Sequence, residues 1–202
     1  MHIHRVIIGS FIYLVFYGNI RGLNKVPKLQ VKRDVKMKIR LASPLTRDSI
    51  VDGPGLRTVL WTQGCIHHCK GCHNPDTHPL NGGFETSTEE IIENLKTIKL
   101  QKGITISGGD PFLQPKACAE IARFCHTLHW DVWVYTGYTY EDILKKNDPL
   151  WNKFLEEIDV LVDGPFILEK KDLNLLFRGS SNQRIIDINL SKKNNKIVFW
   201  EQ

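Results

Sequence analysis

Three cysteines fall within one short run, Gly64-Cys65-Ile66-His67-His68-Cys69-Lys70-Gly71-Cys72-His73-Asn74, at C-x3-C-x2-C spacing. Thiolates are preferred ligands of iron–sulfur clusters and of zinc. A cube of four irons ordinarily takes four thiolates, so a cluster held by these three would keep one iron without a protein ligand. Such an iron can bind a small molecule, which points to a reaction rather than to electron storage. Two other readings share the spacing. One is a zinc site of the Cys3His kind, with His67, His68 or His73 as fourth ligand; the other is a group of unpaired core cysteines.

The surrounding pattern alternates strand and helix. Arg57–Thr62 is a β-branched and apolar run that reads as a strand, and the cysteines follow it. Ser87 and Glu90 form a capping-box pattern ahead of a helix whose apolar face is Ile91, Ile92, Leu95 and Ile98. Gly103–Ser107 is the next strand, and Pro115 opens a helix reaching about Leu128. Asp131–Tyr135 is a third strand, Thr139 caps a short helix through Lys146, Leu150–Glu157 is helical, and Asp159–Val162 is a fourth strand. Gln183–Ile188 and Lys196–Trp200 are later strand candidates. Repeated β-then-α order predicts a parallel sheet, and the chain holds too few units for a closed eight-stranded barrel. The expected fold is therefore α/β: a partial, open parallel βα barrel.

In such folds the C-terminal strand ends open onto one face, where sites form. Four glycine-containing loops should converge there: the cysteine run, Ser107-Gly108-Gly109-Asp110-Pro111, Thr136-Gly137-Tyr138-Thr139 and Asp163-Gly164-Pro165-Phe166. Gly108-Gly109 is either an ordinary turn or a stretch of backbone left bare so that a ligand can approach and use its N–H and C=O groups. Asp110 could then accept from an amino group. Val51-Asp52-Gly53-Pro54-Gly55 reads as a structural turn. Cys118 and Cys125 lie seven apart on one helix face and read as core. His126 and His129 near that helix's end read as surface groups or partners of its dipole.

The 202 residues predict one folded domain, and five cysteines, three of them crowded, fit a metal site in a reducing compartment rather than a disulfide framework. The net charge of +5 comes from one end. Residues 1–36 hold seven Lys/Arg and one acid, leaving 20 bases and 21 acids in residues 37–202. A nucleic-acid partner is therefore not expected for the folded part. Residues 1–36 read as an N-terminal extension from an overcalled gene start, with Met37 as initiator and a purine-rich stretch over Lys32-Arg33-Asp34 as the ribosome-binding site. The apolar stretch Val6–Tyr17 is short for a membrane span, which takes about 20 residues, and lacks a clear cleavage site; a membrane-associating tail is the competing reading.

With these residues in view, residues 37–190 resemble the radical S-adenosylmethionine enzymes. The cysteine spacing and the Gly108-Gly109-Asp110-Pro111 loop carry the likeness to the superfamily. Asp48–Arg57, Gln63-Gly64-Cys65, Cys72-His73-Asn74, Trp133–Tyr138, Val162–Phe166 and above all Arg178–Arg184 carry it to one branch, the activating proteins of anaerobic ribonucleoside-triphosphate reductase. The resemblance implies that Cys65, Cys69 and Cys72 hold a 4Fe–4S cluster whose open iron is chelated by S-adenosylmethionine. It implies that Gly71, Cys72, His73, Gly108, Gly109, Asp110, Thr136 and Gly137 bind the cofactors. The reaction implied is reductive cleavage to methionine and a 5′-deoxyadenosyl radical, which takes a hydrogen atom from a glycine of the reductase large subunit. The electron comes from an external one-electron donor. Asp163, Phe166, Arg178, Asn182 and Gln183 are the candidates for docking that partner. No membrane partner is implied, and the location is cytoplasmic. Gly71 stands where many superfamily members carry an aromatic residue, so no adenine-stacking residue is assigned. Alternatives are activation of a formate-lyase-type enzyme, a radical enzyme acting on a small molecule, and a zinc-binding module.

Overall fold

The computed structural model describes residues 2–8, 11–17 and 36–201, in two compact units, Met1–Val35 and Lys36–Gln202. In the first, β1 (His2–Ile8) and β2 (Phe11–Tyr17) pair antiparallel. The division falls beside the boundary expected at Met37. The gene-start reading concerns residues that lie largely outside the described ones.

The second unit is built on one mixed sheet. Its strands are β3 (Lys38–Leu41), β4 (Thr46–Ser49), β5 (Arg57–Thr62), β6 (Phe84–Ser87), β7 (Gly103–Gly108), β8 (Asp131–Tyr135), β9 (Val160–Asp163) and β10 (Arg184–Asp187). The order across the sheet is β10-β9-β8-β7-β5-β3-β6, with β4 on β5. The four central strands β5, β7, β8 and β9 run parallel in register, and antiparallel pairs flank them on both sides. The sheet is open, with β10 and β6 at its edges.

The helices are α1 (Thr88–Lys96), α2 (Pro115–Thr127), α3 (Tyr140–Lys146), α4 (Pro149–Glu156) and α5 (Ile188–Asn194). Their starts are chemically specified. Ser87 Oγ accepts the Glu90 N–H, Thr139 and Asp142 form a reciprocal capping box, and the Asp148 carboxylate accepts two N–H groups. The expected box at Ser87 is half made, because the Glu90 carboxylate accepts instead from Thr86 Oγ1 at 2.8 Å.

Alternation along the strands sorts the core into two faces. Leu60, Ile104, Ile106, Val132, Val134 and Leu161 meet Ile91, Leu95, Ile121, Ile143 and Phe154 of the helices. Cys118 and Cys125 lie in this same layer, fully buried, as the sequence predicts. On the opposite face Trp133, Val160 and Val162 pack with Tyr135, Phe177 and Trp200. The strand order steps in one direction, so right-handed crossovers place the helices on one face and leave the other without helical cover.

One expected element differs, and others are additional. Lys196–Trp200 makes a single bridge, Phe199 to Ile186, rather than a strand. Residues 188–194 are helical, started by the Asp187 carboxylate accepting from Leu190 N–H. The antiparallel strands β3, β4 and β6 were not foreseen. No helix among the described residues is long and apolar enough to cross a membrane.

Candidate functional site

A cleft of about 410 Å³ opens at the C-terminal ends of the parallel strands. Each central strand contributes through the loop that follows it: Cys65 after β5, Gly109 and Asp110 after β7, Thr136 and Gly137 after β8, Gly164 and Phe166 after β9. Cys69, Cys72, His73, Gly108, Arg178 and Gln183 also line it. The four-loop convergence expected from sequence is present. Of the ligand, cofactor and docking candidates singled out from sequence, His68, Gly71, Asp163 and Asn182 stand outside the lining.

The cysteine loop is fixed by backbone bonds. Gly64 N–H donates to Thr77 O at 2.8 Å, Cys65 N–H to His78 O at 3.1 Å, and Cys72 N–H to Cys69 O at 3.1 Å. Gly64 and Gly71 both have positive φ, which glycine accepts without strain. At Gly71 a Cβ would also come within 3.0 Å of Leu168 Cδ1, so this residue lets the loop settle on the segment beyond β9. His73 packs on Phe166, ring centroids 4.8 Å apart.

Gly108-Gly109 does something other than present free peptide groups. Gly109 N–H donates to Thr62 O at 2.7 Å and Asp110 N–H to Gly64 O at 2.8 Å. A Cβ on Gly109 would lie 2.2 Å from the Gly64 carbonyl oxygen. The bare backbone is therefore used to lay the β7 loop directly against the residue preceding Cys65.

Asp110 is only 1 % exposed, and its carboxylate is fully engaged. It accepts from Phe112 N–H at 2.9 Å, from Thr136 Oγ1 at 2.9 Å, from Gly137 N–H at 3.0 Å, and faces His67 Nε2 at 2.6 Å. An external amino group finds no unoccupied acceptor on it in this arrangement. His67, raised from sequence only as a zinc ligand, is thus a site residue that spacing did not reveal. Val51 and Asp52 also line the cleft, although their run reads as a plain turn. So does Trp61, whose indole N–H donates to Thr46 Oγ1 at 2.8 Å.

Beyond β9, the Asp163 carboxylate accepts from Tyr140 N–H at 2.7 Å and pairs with Arg184, which also grips Glu141. Gln183 Oε1 accepts from Gly179 N–H at 2.9 Å, and its amide donates to Gly164 O at 3.1 Å. Asn182 donates to Pro165 O at 2.8 Å. These three side chains hold the cleft wall in shape. Arg178 faces the cleft; its Nη1 donates to Gln183 O at 2.9 Å, and its Nε is buried without a hydrogen-bond partner among the described residues.

The donor set suits an iron–sulfur group. All three loop cysteines are partly buried and free, and they share the cleft wall. Burial raises the Cys65 thiol above its ordinary value; the His67 backbone N–H, donating to it, works the other way, and Asp110, Cys69 and Cys72 push it up further. Crowded thiolates beside a carboxylate repel one another, and a cationic iron centre relieves that repulsion. Among the described residues no three His, Cys, Asp or Glu side chains are gathered around a single-ion position.

Comparison with known proteins agrees with this donor set. A family model described as a 4Fe-4S single cluster domain matches residues 51–186, which places the chain in that class of iron–sulfur proteins. An anaerobic ribonucleoside-triphosphate reductase-activating protein of Vibrio cholerae is 38% identical over 145 residues, 67% of this chain and 90% of the relative. One of the same description from Escherichia coli K12 is 36% identical over 143 residues, 66% of this chain and 90% of the relative. The solved structure of QueE from Escherichia coli aligns at a TM-score of 0.42 and 12% identity, covering 50% of this chain and 54% of that one. The chain belongs to the family of anaerobic ribonucleoside-triphosphate reductase-activating proteins.

Proposed function

We propose that this protein is the activating enzyme of an anaerobic ribonucleoside-triphosphate reductase, using S-adenosylmethionine to generate a glycyl radical on the reductase large subunit. The observation that carries the reading is the meeting of three thiols with the Gly108–Asp110 loop in one cleft at the ends of parallel strands. Held by the three thiolates, a 4Fe–4S cluster would supply the electron for reductive cleavage of S-adenosylmethionine, and the hydrogen taken from the reductase glycine would leave in 5′-deoxyadenosine.

The chain's own residues have the following parts. Cys65, Cys69 and Cys72 ligate iron as thiolates. Gly108, Gly109, Thr136, Gly137 and His73 shape the cofactor space, with Asp110 as its anchor, and Gly71 seats the cysteine loop against Leu168. Phe166, Arg178 and Gln183 form the rim that meets the reductase segment, supported by Asp163 and Asn182. The single stepwise winding of the sheet, with helices on one face, supports the reading as a partial barrel, whose open mouth would admit a protein loop. The near balance of charge in residues 37–202 fits a protein partner rather than nucleic acid. The electron comes from a separate donor, and five free cysteines fit the cytoplasm. Residues 1–36 are proposed to lie outside the functional unit.

The test is anaerobic reconstitution with iron and sulfide, then reduction with S-adenosylmethionine and the reductase present. The expected result is a broad iron–sulfur absorption, release of 5′-deoxyadenosine and a glycyl radical on the reductase. A colourless zinc protein, or a loaded one that leaves S-adenosylmethionine intact, overturns the proposal.

A further inference from the structure

The side chain of His67 reaches from the cysteine loop to the loops after both β7 and β8. Its Nε2 lies 2.6 Å from Asp110 Oδ2. An ionised carboxylate only accepts, so Nε2 carries the proton and donates. The imidazole packs edge-on against Tyr138, centroids 4.5 Å apart, and is 16% exposed. It also explains the glycine at 137: a Cβ there would sit 2.4 Å from His67 Cδ2. In the chain it stands two residues after Cys65. One residue of the cysteine loop therefore meets both the β7 and the β8 loops through its ring.

We infer that His67 is a positioning residue, a strut that sets the orientation of the cysteine loop, and so of the cluster's open iron, against the Gly108–Asp110 and Thr136–Gly137 loops. The inference rests on the iron–sulfur reading above and adds a role to it. Asp110 is the far end of the strut: its remaining acceptor positions are filled by Phe112, Thr136 and Gly137, which belong to the two loops being joined. Without the imidazole the three thiols still reach iron and the Asp110 N–H still meets the Gly64 carbonyl, but the loop loses its side-chain tie to the shelf where the ligand of that iron must rest. Groups that orient metal ligands in this way matter about tenfold to a hundredfold in affinity or activity.

The experiment compares wild-type, H67A, H67Q, G137A and H67A/G137A, each reconstituted anaerobically. Three quantities are read: iron and acid-labile sulfide per chain, the dissociation constant of S-adenosylmethionine, and the change it causes in the electron paramagnetic resonance of the reduced cluster. H67A should retain its iron, bind S-adenosylmethionine about tenfold to a hundredfold more weakly and show a diminished spectral change. H67Q, whose amide can donate to Asp110, should recover most of both. G137A should resemble H67A, because its methyl group displaces the ring. The double variant should bind no more weakly than H67A, since the ring that the methyl strikes is gone.

Loss of iron in H67A that H67Q restores also supports the strut; loss in both overturns it in favour of a ligand or folding role. Unchanged or tighter S-adenosylmethionine binding by H67A overturns it, since the ring would then merely cover the shelf. Additive losses in the double variant remove the His67–Gly137 contact from the explanation. If wild-type protein takes up no iron or shows no response to S-adenosylmethionine, the iron–sulfur reading itself falls, and the strut with it. A responding wild type beside an equally responsive H67A defeats the strut alone.

Discussion

The chain places five identical side chains in two settings. Cys65, Cys69 and Cys72 stand half-buried on a glycine-flanked loop beside open space. Cys118 and Cys125 stand fully buried along α2, packed among the aliphatic side chains of the helix-covered face. Burial pushes the Cys125 thiol up to about 12, and burial with the nearby Asp110 carboxylate pushes Cys118 up as well. A thiol that stays protonated is a small apolar group and no ligand. Thiol chemistry here is decided by which face of the sheet a residue serves, and only the uncovered end of the parallel strands leaves sulfur accessible.

Removing any one loop cysteine is the harshest test of that contrast. Cys65→Ala, Cys69→Ala and Cys72→Ala should each lose the cluster and 5′-deoxyadenosine release completely, as read by iron, sulfide and product analysis. Retention of a full cluster in any of them would erase the distinction between the two groups. Alkylation of the metal-free protein should sharpen it next. The loop cysteines should react with iodoacetamide in the native state, with Cys65 needing a higher pH than free cysteine because its thiol is raised. Cys118 and Cys125 should remain unmodified until denaturant is added, as peptide mass mapping would show.

A smaller effect is expected at Gly109. The β-carbon of Gly109→Ala would press on the Gly64 carbonyl, so the cysteine loop must shift. We expect iron content to fall and 5′-deoxyadenosine formation to drop about tenfold, a loss of roughly 1.4 kcal/mol. Full iron with normal product would mean that the β7 loop and the cysteine loop are not mechanically joined. The mildest change is at the buried pair. Cys118→Ala and Cys125→Ala should keep cluster and activity while losing about 1–2 kcal/mol in urea unfolding. A lost cluster there would put α2 in the site.

Much of this was legible in the residues. Arg57–Thr62 and Asp131–Tyr135 are strands with the bounds that their β-branched and aromatic runs predict, and the caps at Ser87 and Thr139 start helices where hydrogen-bonding side chains precede an apolar period. The cysteine loop was legible because ligand spacing is local. What escaped is non-local or weakly patterned. Thr46–Ser49 is a polar strand with little burial, so no alternation marks it; only its pairing with β5 makes it one. The role of His67 depends on Asp110 and Gly137, 43 and 70 positions away, brought together by the sheet. Gly109 was legible as a place of close approach, yet the approaching group is the chain's own Gly64 backbone. Val51 and Asp52 sit in a turn-like sequence, and nothing local tells that β4 and β5 carry that turn to the cleft.

Trp61 closes one side of the cleft, its ring held by the hydrogen bond to Thr46. Indole emits light in the region where iron–sulfur chromophores absorb, and energy transfer between them falls steeply with distance. The site thus contains its own optical gauge. Filling of the cleft should darken the fluorescence of Trp61 more than that of Trp130, which is buried just ahead of β8 at the opposite end of the parallel strands, and Trp61→Phe should remove most of the change while leaving the iron in place. Loading and loss of the cluster could then be followed continuously in a cuvette, in the intact protein, with no label attached.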